Sequence, residues 1–296
     1  MQANSRFHPL GGVSMVEPPS MRGEINANVR AALARATLVR PYLRLDEALG
    51  ALRLGVSGDA LPIAIVGGAP SINGLVDELR DFDGDVLVCG TAHDWSRRNG
   101  IAATYYLIGD HHPIICRHLL LPDQTAIYFV ACQCDHAVFN ILADRSLVLW
   151  HCVWPGQEAD FAPDQWAILE AMRVDGGSTA GMRALSLVTM LGYRNVHLYG
   201  FDSCLDSADR EYAYEQEPNP TATEDDPITE IRLGRDAPGT KVYRCKGWQV
   251  AQARDFQELL RTCELDLTFH GGGLISDMWN EVKVDRASQY PVEVSI

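Results

Sequence analysis

The sequence predicts an α/β protein: a Rossmann-like, mostly parallel sheet with helices on both faces, preceded by an N-terminal helical extension. Three observations predict it. Short apolar runs alternate with helix-period stretches from residue 62 onward, which is the pattern of repeated βα units. The first of these runs, 62–66, is apolar throughout, as a strand covered on both faces must be. Nearly every run also ends in glycine or a polar functional residue.

The elements follow in chain order. Residues 1–24 are rich in Pro, Gly, Ser and Met without periodicity, and are read as a loosely docked arm. From 25 to 54 the pattern is helical: Asn26-Ala27-Asn28 can cap, and Val29, Leu33 and Leu38 share a face. Pro41 interrupts it, and Leu43, Leu45, Ala48, Leu49 and Leu52 continue a second helix. The arm and helices make up an extension over 1–58, a cover for the main domain or an interface between copies of the chain.

Pro62-Ile63-Ala64-Ile65-Val66 is the first buried strand, followed at once by Gly67-Gly68-Ala69-Pro70-Ser71 and a helix over 72–80. Strand, glycine turn and helix open nucleotide-binding α/β units. The turn is not a Walker A loop, since no Gly-Lys-Ser/Thr follows, and it is not a full Gly-x-Gly-x-x-Gly. A second strand, 85–89, ends in Gly90-Thr91, before a polar helix through Trp95. A third, 104–109, ends in Asp110-His111-His112. A fourth, 125–131, ends in Cys132-Gln133-Cys134, and a fifth, 147–150, in His151. Residues 152–173 read as an irregular connection.

Then comes the stretch Val174-Asp175-Gly176-Gly177-Ser178-Thr179-Ala180-Gly181, which leads into an apolar helix over 182–191 stopped by Gly192. Small residues at a loop-to-helix junction let a ligand approach backbone N–H groups that have no intrahelical partner, so Gly176, Gly177, Ser178 and Thr179 form a candidate phosphate cradle. The strand after it ends in Gly200-Phe201-Asp202. Residues 203–239 are acidic and turn-rich and read as an inserted lid or surface loop. A strand over 240–245, an amphipathic helix over 248–263, a last strand over 265–269 ending in His270-Gly271, and a helical turn over 274–279 complete a main domain spanning 59–280. A tail follows over 281–296.

Composition sets the class. The chain has 296 residues and 47% hydrophobic content, with a mean hydropathy of −0.09, the values of an ordinary globular protein. No apolar run reaches the roughly 18 residues of a membrane helix, and the N-terminus lacks the pattern of a signal peptide. A cytoplasmic location is therefore expected. A net charge of −14 repels nucleic acid and anionic membranes, so no nucleic-acid partner is expected. Cysteines in strand-like runs are expected to be reduced and buried.

In a parallel sheet the strand ends lie on one side, where ligands bind. Gly67-Gly68, Gly90-Thr91, Asp110, Cys132, His151, Asp202 and His270 therefore fall along a single edge. Gly67, Gly68 and Ser71 can offer donors to a phosphate or ribose. Asp110 and Asp202 can bind ribose hydroxyls or a hydrated magnesium ion, or cap the turns that follow them. His151 and His270 can act as proton-transfer groups or be structural imidazoles. Asp110-His111-His112 and Cys132-x-Cys134-x-His136 hold zinc-ligand residue types, but neither has a second half at structural-zinc spacing, so no metal centre is expected.

Ile65-Val66-Gly67-Gly68-Ala69-Pro70-Ser71, Gly176-Gly177-Ser178-Thr179-Ala180-Gly181 and Leu191-Gly192-Tyr193 through Asp202 resemble the MptE-like family. That family is named for 6-hydroxymethylpterin diphosphokinases and includes the central domain of Maf flagellin glycosyltransferases; the last segment is also similar to sialyltransferase folds. The resemblance covers roughly 62–274. It implies a nucleotide or nucleotide-sugar ligand, with Gly67, Gly68, Pro70 and Ser71 at one phosphate-side loop and Gly177-Ser178 at another. The diphosphokinases carry acidic stretches that hold magnesium and triphosphate; here only Asp110 and His151 stand as counterparts. The expected function is a nucleotide-dependent transferase, glycosyltransferase-like, using a nucleotide-sugar donor and an unknown acceptor. Asp202, His151 or His270 would carry the chemistry, and the 203–239 segment would close over the acceptor. The alternatives are an ATP- and magnesium-dependent diphosphokinase and a non-catalytic nucleotide-binding or scaffold protein.

Overall fold

The computed structural model describes residues 19–38, 43–55, 62–216, 227–233, 240–262 and 264–288. Most of the arm expected over 1–24 and part of the 203–239 segment lie outside them. The central sheet has eight strands: β1 (Leu43–Arg44), β2 (Ile63–Val66), β3 (Asp85–Cys89), β4 (Tyr105–Ile108), β5 (Ile127–Ala131), β6 (Ser146–Trp150), β7 (Asn195–Tyr199) and β10 (Asp266–His270). Their order is β1-β6-β5-β4-β3-β2-β7-β10, and every neighbouring pair is parallel. All four residues of β2 and of β4 are buried, which is why these runs are continuously apolar.

Strands β3 to β6 build outward on one side of β2, and the chain then returns to place β7 on the other side. The strand order thus reverses between β2 and β7. The return passes through α7 (Ala180–Leu191), capped by the Thr179 hydroxyl, which accepts from the Met182 N–H at 3.3 Å, and stopped by Gly192 at φ +103°. Its Ala184, Leu185, Val188 and Leu191 are buried, at the i, i+1, i+4, i+7 spacing of a helix face laid on the sheet.

Several elements depart from expectation. The helix expected over 72–80 is a 3-10 turn, Pro70–Gly74, followed by a short α3 (Val76–Arg80), because Asn73 and Gly74 are poor helix formers. The 152–173 connection contains the helix α6 (Pro163–Ala171). The strand after the acidic segment, β9 (Lys241–Cys245), does not join the sheet. It pairs antiparallel with β8 (Thr229–Leu233), a strand within the segment expected to be a loop. The helical turn at 274 is the start of α9 (Leu274–Ser288), which runs past the expected tail boundary. Helices α4 (His93–Arg98), α5 (His136–Ile141) and α8 (Gly247–Thr262) complete the covering layers.

The extension forms α1 (Pro19–Leu38) and α2 (Leu45–Gly55). Ile25, Val29 and Ala32 of α1 are buried, at the spacing of one helix face. Polar residues fasten α1 to loops beyond β5 and β6: Arg22 Nε and Asn26 Nδ2 donate to Asp160 Oδ2 at 2.6 and 2.8 Å, and Asn28 Nδ2 donates to the Gln133 carbonyl at 3.2 Å. Helix α1 thus covers part of the carboxyl edge. Among the described residues no helix is long and apolar enough to cross a membrane.

Beneath the sheet His93 Nδ1 lies 2.8 Å from Asp94 Oδ1, and His93 Nε2 lies 2.9 Å from the Tyr128 hydroxyl. That hydroxyl accepts from the Asp123 N–H, so its own proton goes to Nε2, and the imidazole proton sits on Nδ1 facing Asp94. This arrangement is fully buried. It braces the loop at Leu120 and Leu121, whose N–H groups donate to Asp94.

Candidate functional site

The two glycine turns that stood far apart in the sequence meet at the point where the strand order reverses. Gly67 N–H continues the β2–β7 pairing by donating to the Tyr199 carbonyl at 2.8 Å. A Cβ on Gly67 would lie 2.5 Å from the Gly200 carbonyl oxygen, so glycine is required there for the two backbones to approach. Just beyond, Asp202 accepts from Ser71 twice: Oδ2 from its N–H at 3.0 Å and Oδ1 from its hydroxyl. Asp202 is buried. Burial pushes its carboxyl up to about 6, against the Ser71 hydrogen bonds that pull the other way. Pro70, also buried, opens the 3-10 turn. Ligands of open α/β sheets bind at such a reversal.

The ends of β3 and β4 lie beside it. Gly90 is half-buried with φ +52°, and Thr91 follows it. Thr91 Oγ1 lies 2.8 Å from the Tyr214 hydroxyl and accepts from Gln216 Nε2 at 2.6 Å. Asp110 Oδ1 accepts from the His112 N–H at 2.9 Å, closing its own turn; its charge is among those that raise the Tyr212 phenol, after burial. Tyr212, Tyr214 and Gln216 escaped the sequence reading. Their signal was the alternation Glu211-Tyr212-Ala213-Tyr214-Glu215-Gln216, with two aromatic rings two residues apart in an otherwise acidic run.

The Gly176-Gly177-Ser178-Thr179 loop stands at the start of α7, and its donors face a side chain of the same chain. Asp255 Oδ2, on α8, accepts from both the N–H and the hydroxyl of Ser178 at 2.6 Å each. A Cβ on Gly177 would stand 2.5 Å from that oxygen, and Gly177 has φ +95°. Gly176 is buried against Met182 and Ser186. The Thr179 hydroxyl, besides capping α7, accepts from Gln252 Nε2 at 3.1 Å. Gln249, Gln252 and Asp255 are all buried. Their three-residue spacing, beside the apolar Val250, Ala253 and Phe256, was the sequence signal for a polar stripe docked on protein.

The two histidines are each engaged by other side chains of the chain. His151 has no exposed surface; its Nε2 lies 3.1 Å from Gln157 Oε1, and its Nδ1 has no partner. His270 lies on the face of the sheet covered by α3. Its Nδ1 is paired with Glu78, its Nε2 is 2.8 Å from His197 Nδ1, and its ring stacks on Tyr199 at 4.1 Å. Both ring nitrogens of His270 are thus engaged, one by Glu78 and one by His197.

Burial lowers His151 to about 4, opposed by its bond to Gln157. A lowered histidine contributes stability that is full above its unfolded value, near 6.5, and is lost as pH falls through about 4. Asp202 has the opposite sign. Its raised value contributes stability that is full below about 3.9 and lost as pH rises through about 6. Each term is on the order of 3 kcal/mol, and the two offset each other over the same window. Burial also lowers His93, His118 and His197, which adds to the loss in acid. His151→Gln is therefore expected to lose roughly 2–3 kcal/mol less than the wild type between pH 6.5 and 4.5. Urea midpoints across that range measure it; parallel profiles for the two proteins would show that His151 does not titrate on unfolding as described.

Among the described residues, no group of three or more His, Cys, Asp or Glu is placed to hold a metal ion. Asp110 accepts from the His112 N–H, and Asp202 from the N–H and hydroxyl of Ser71.

No protein-family model matches the chain, and no curated protein matches it. Among solved structures, it is similar to the Maf glycosyltransferase from Magnetospirillum magneticum AMB-1, with a TM-score of 0.51 and 16% sequence identity, over 89% of this chain and 45% of that one. The chain thus spans less than half the length of that protein. The likeness is one of fold: a Maf glycosyltransferase-like, Rossmann-like α/β architecture.

Proposed function

We propose that the chain is a nucleotide-dependent transferase of the MptE-like kind, glycosyltransferase-like, that takes a nucleotide-sugar donor. The observation that carries this reading is the meeting of Gly67–Ser71 and Gly200–Asp202 where the strand order reverses. A tight backbone approach, a hydroxyl and a buried carboxylate stand together there, beside Gly90, Thr91 and Asp110. The donor's phosphate lies along the Gly67–Ser71 turn, and its ribose lies toward Asp110. Asp202 is a buried carboxyl of the crevice, and its raised value suits proton transfer near neutral pH. In the reaction it takes the acceptor hydroxyl proton as the acceptor oxygen bonds to the sugar's anomeric carbon, and the bond from that carbon to the donor phosphate breaks, the phosphate leaving with the electron pair. His151, buried on Gln157, and His270, paired with Glu78 and His197, hold structure in this reading.

Calorimetry and thermal unfolding with CMP, CDP, UDP, GDP, AMP and ATP, with and without magnesium, test it. A ligand at a hundred times its Kd stabilises the native state by about 2.7 kcal/mol. Metal-independent binding of a pyrimidine nucleotide is expected. Magnesium-dependent binding of ATP alone would support a diphosphokinase instead, and binding of nothing would support a scaffold. Once a donor is found, Asp202→Asn should lower turnover by about 100-fold or more with donor affinity little changed; full turnover would remove Asp202 from the chemistry.

A further inference from the structure

We propose that residues 211–216 are an internal strap occupying the nucleotide crevice, with the Tyr214 hydroxyl standing at Gly68 and Thr91 where a ligand's polar group would bind, so that a ligand must displace Tyr214 to enter. The proposal rests on the nucleotide reading above and adds a regulatory contact to it.

Four hydrogen bonds hold the strap in the crevice. Ala213 N–H donates to the Gly68 carbonyl at 2.9 Å, extending the strap along the β2 turn. Asn73 Nδ2 donates to the Ala213 carbonyl at 2.7 Å from the outer side. The Tyr214 hydroxyl pairs with Thr91 Oγ1, and Gln216 Nε2 donates to the same oxygen. Gly68 is the tightest point. The first atom that a Cβ there would meet is the Tyr214 hydroxyl oxygen, closely followed by the Tyr212 ring. The space left by the missing side chain at Gly68 is therefore filled by the chain's own phenol.

The phenol hydroxyl fills the space beside Gly68 and pairs with the Thr91 hydroxyl, the position in which a ribose hydroxyl or a phosphate oxygen would pair with Thr91. Both would use the Thr91 hydroxyl and the open side of Gly68. The strap and the ligand thus compete for one set of groups, and the population of the open state scales the apparent affinity. Tyr212 anchors the strap from the other side, stacked on Trp248 at 5.7 Å and 11° between planes, and the Trp248 indole N–H donates to Glu211 at 3.0 Å. The anchor is independent of the crevice contacts, so Tyr214 can leave while the base of the strap stays docked.

The test uses the full chain with three substitutions: Tyr214→Ala removes the occupant, Tyr214→Phe removes only its hydroxyl, and Asn73→Ala loosens the strap from outside. Binding of CMP, UDP and inorganic pyrophosphate is measured by calorimetry, and amide exchange is followed at 211–216. Tyr214→Ala is expected to bind the same probe about 10-fold more tightly than the wild type, with Tyr214→Phe and Asn73→Ala between them. Exchange over 211–216 should rise in the wild type when probe is added. Tighter binding with this rise supports the strap. Wild-type binding that Tyr214→Ala leaves unchanged or weakens, with 211–216 still protected in the complex, overturns the strap alone. Failure of every form to bind any probe, with exchange showing 211–216 open in Tyr214→Ala, overturns the nucleotide reading and the strap with it.

Discussion

Gly67→Ala is expected to destabilise the protein by at least about 3 kcal/mol and to lose ligand binding with the fold. The added Cβ would lie 2.5 Å from the Gly200 carbonyl oxygen and 3.3 Å from its carbon. Both atoms are backbone, and both belong to a turn fixed by parallel pairing, with Val66 opposite Tyr199. No side chain can swing aside, so relief requires β2 and β7 to part where the strand order reverses. Gly90→Ala is the control. Gly90 has φ +52° and no atom within 4 Å of the position its Cβ would take, so it carries only the left-handed strain of about 1 kcal/mol. Urea midpoints of the two variants measure the difference; equal losses would show that the Gly67 contact relaxes at no cost.

The second large effect is at Asp255. Asp255→Ala is expected to cost about 3 kcal/mol, because it strips the shared acceptor from the N–H and hydroxyl of Ser178 at the junction of α7 and α8. Asp255→Asn keeps an oxygen in place and should cost about 1 kcal/mol. The alanine variant also carries a chemical signature. Its two freed donors at a helix start form an anion site, so added acetate or phosphate should restore part of the lost stability in Asp255→Ala and none in the wild type. Absence of this rescue, together with a loss under 1 kcal/mol, would mean that the Ser178–Asp255 contact holds neither loop nor helix.

These two sites also mark where the sequence was and was not readable. Strands over 63–66, 85–89, 105–108, 127–131 and 146–150 were legible because each is a largely apolar run followed by glycine or a polar residue, the composition that burial on both faces demands. Strands over 195–199 and 266–270 alternate apolar with polar residues, and were legible from the glycine that follows each. The 3-10 break at Asn73-Gly74 and the hairpin of β8 with β9 were not. A strand of alternating character in an acidic segment looks like a loop until its partner is known. Asp202 could be picked out as a strand-end carboxylate, but not that Ser71 would engage both of its oxygens. Ser178 could be identified as a free donor at a helix start, but not that a carboxylate 77 residues later would take it.

The sequence by itself determined the α/β class, seven of the eight strands of the central sheet (all but β1) and the gathering of Gly67, Gly68, Gly90, Asp110 and Asp202 along one edge, because period, chain direction and turn chemistry act over a few residues. Only the tertiary structure decided how those groups are paired. It buried His151, turned His270 toward Glu78, gave the Ser178 donors to Asp255 and laid Tyr214 over Gly68. A hydrogen-bonding group takes whatever partner the packing brings within about 3 Å, and that partner comes from chain distances that no local pattern encodes.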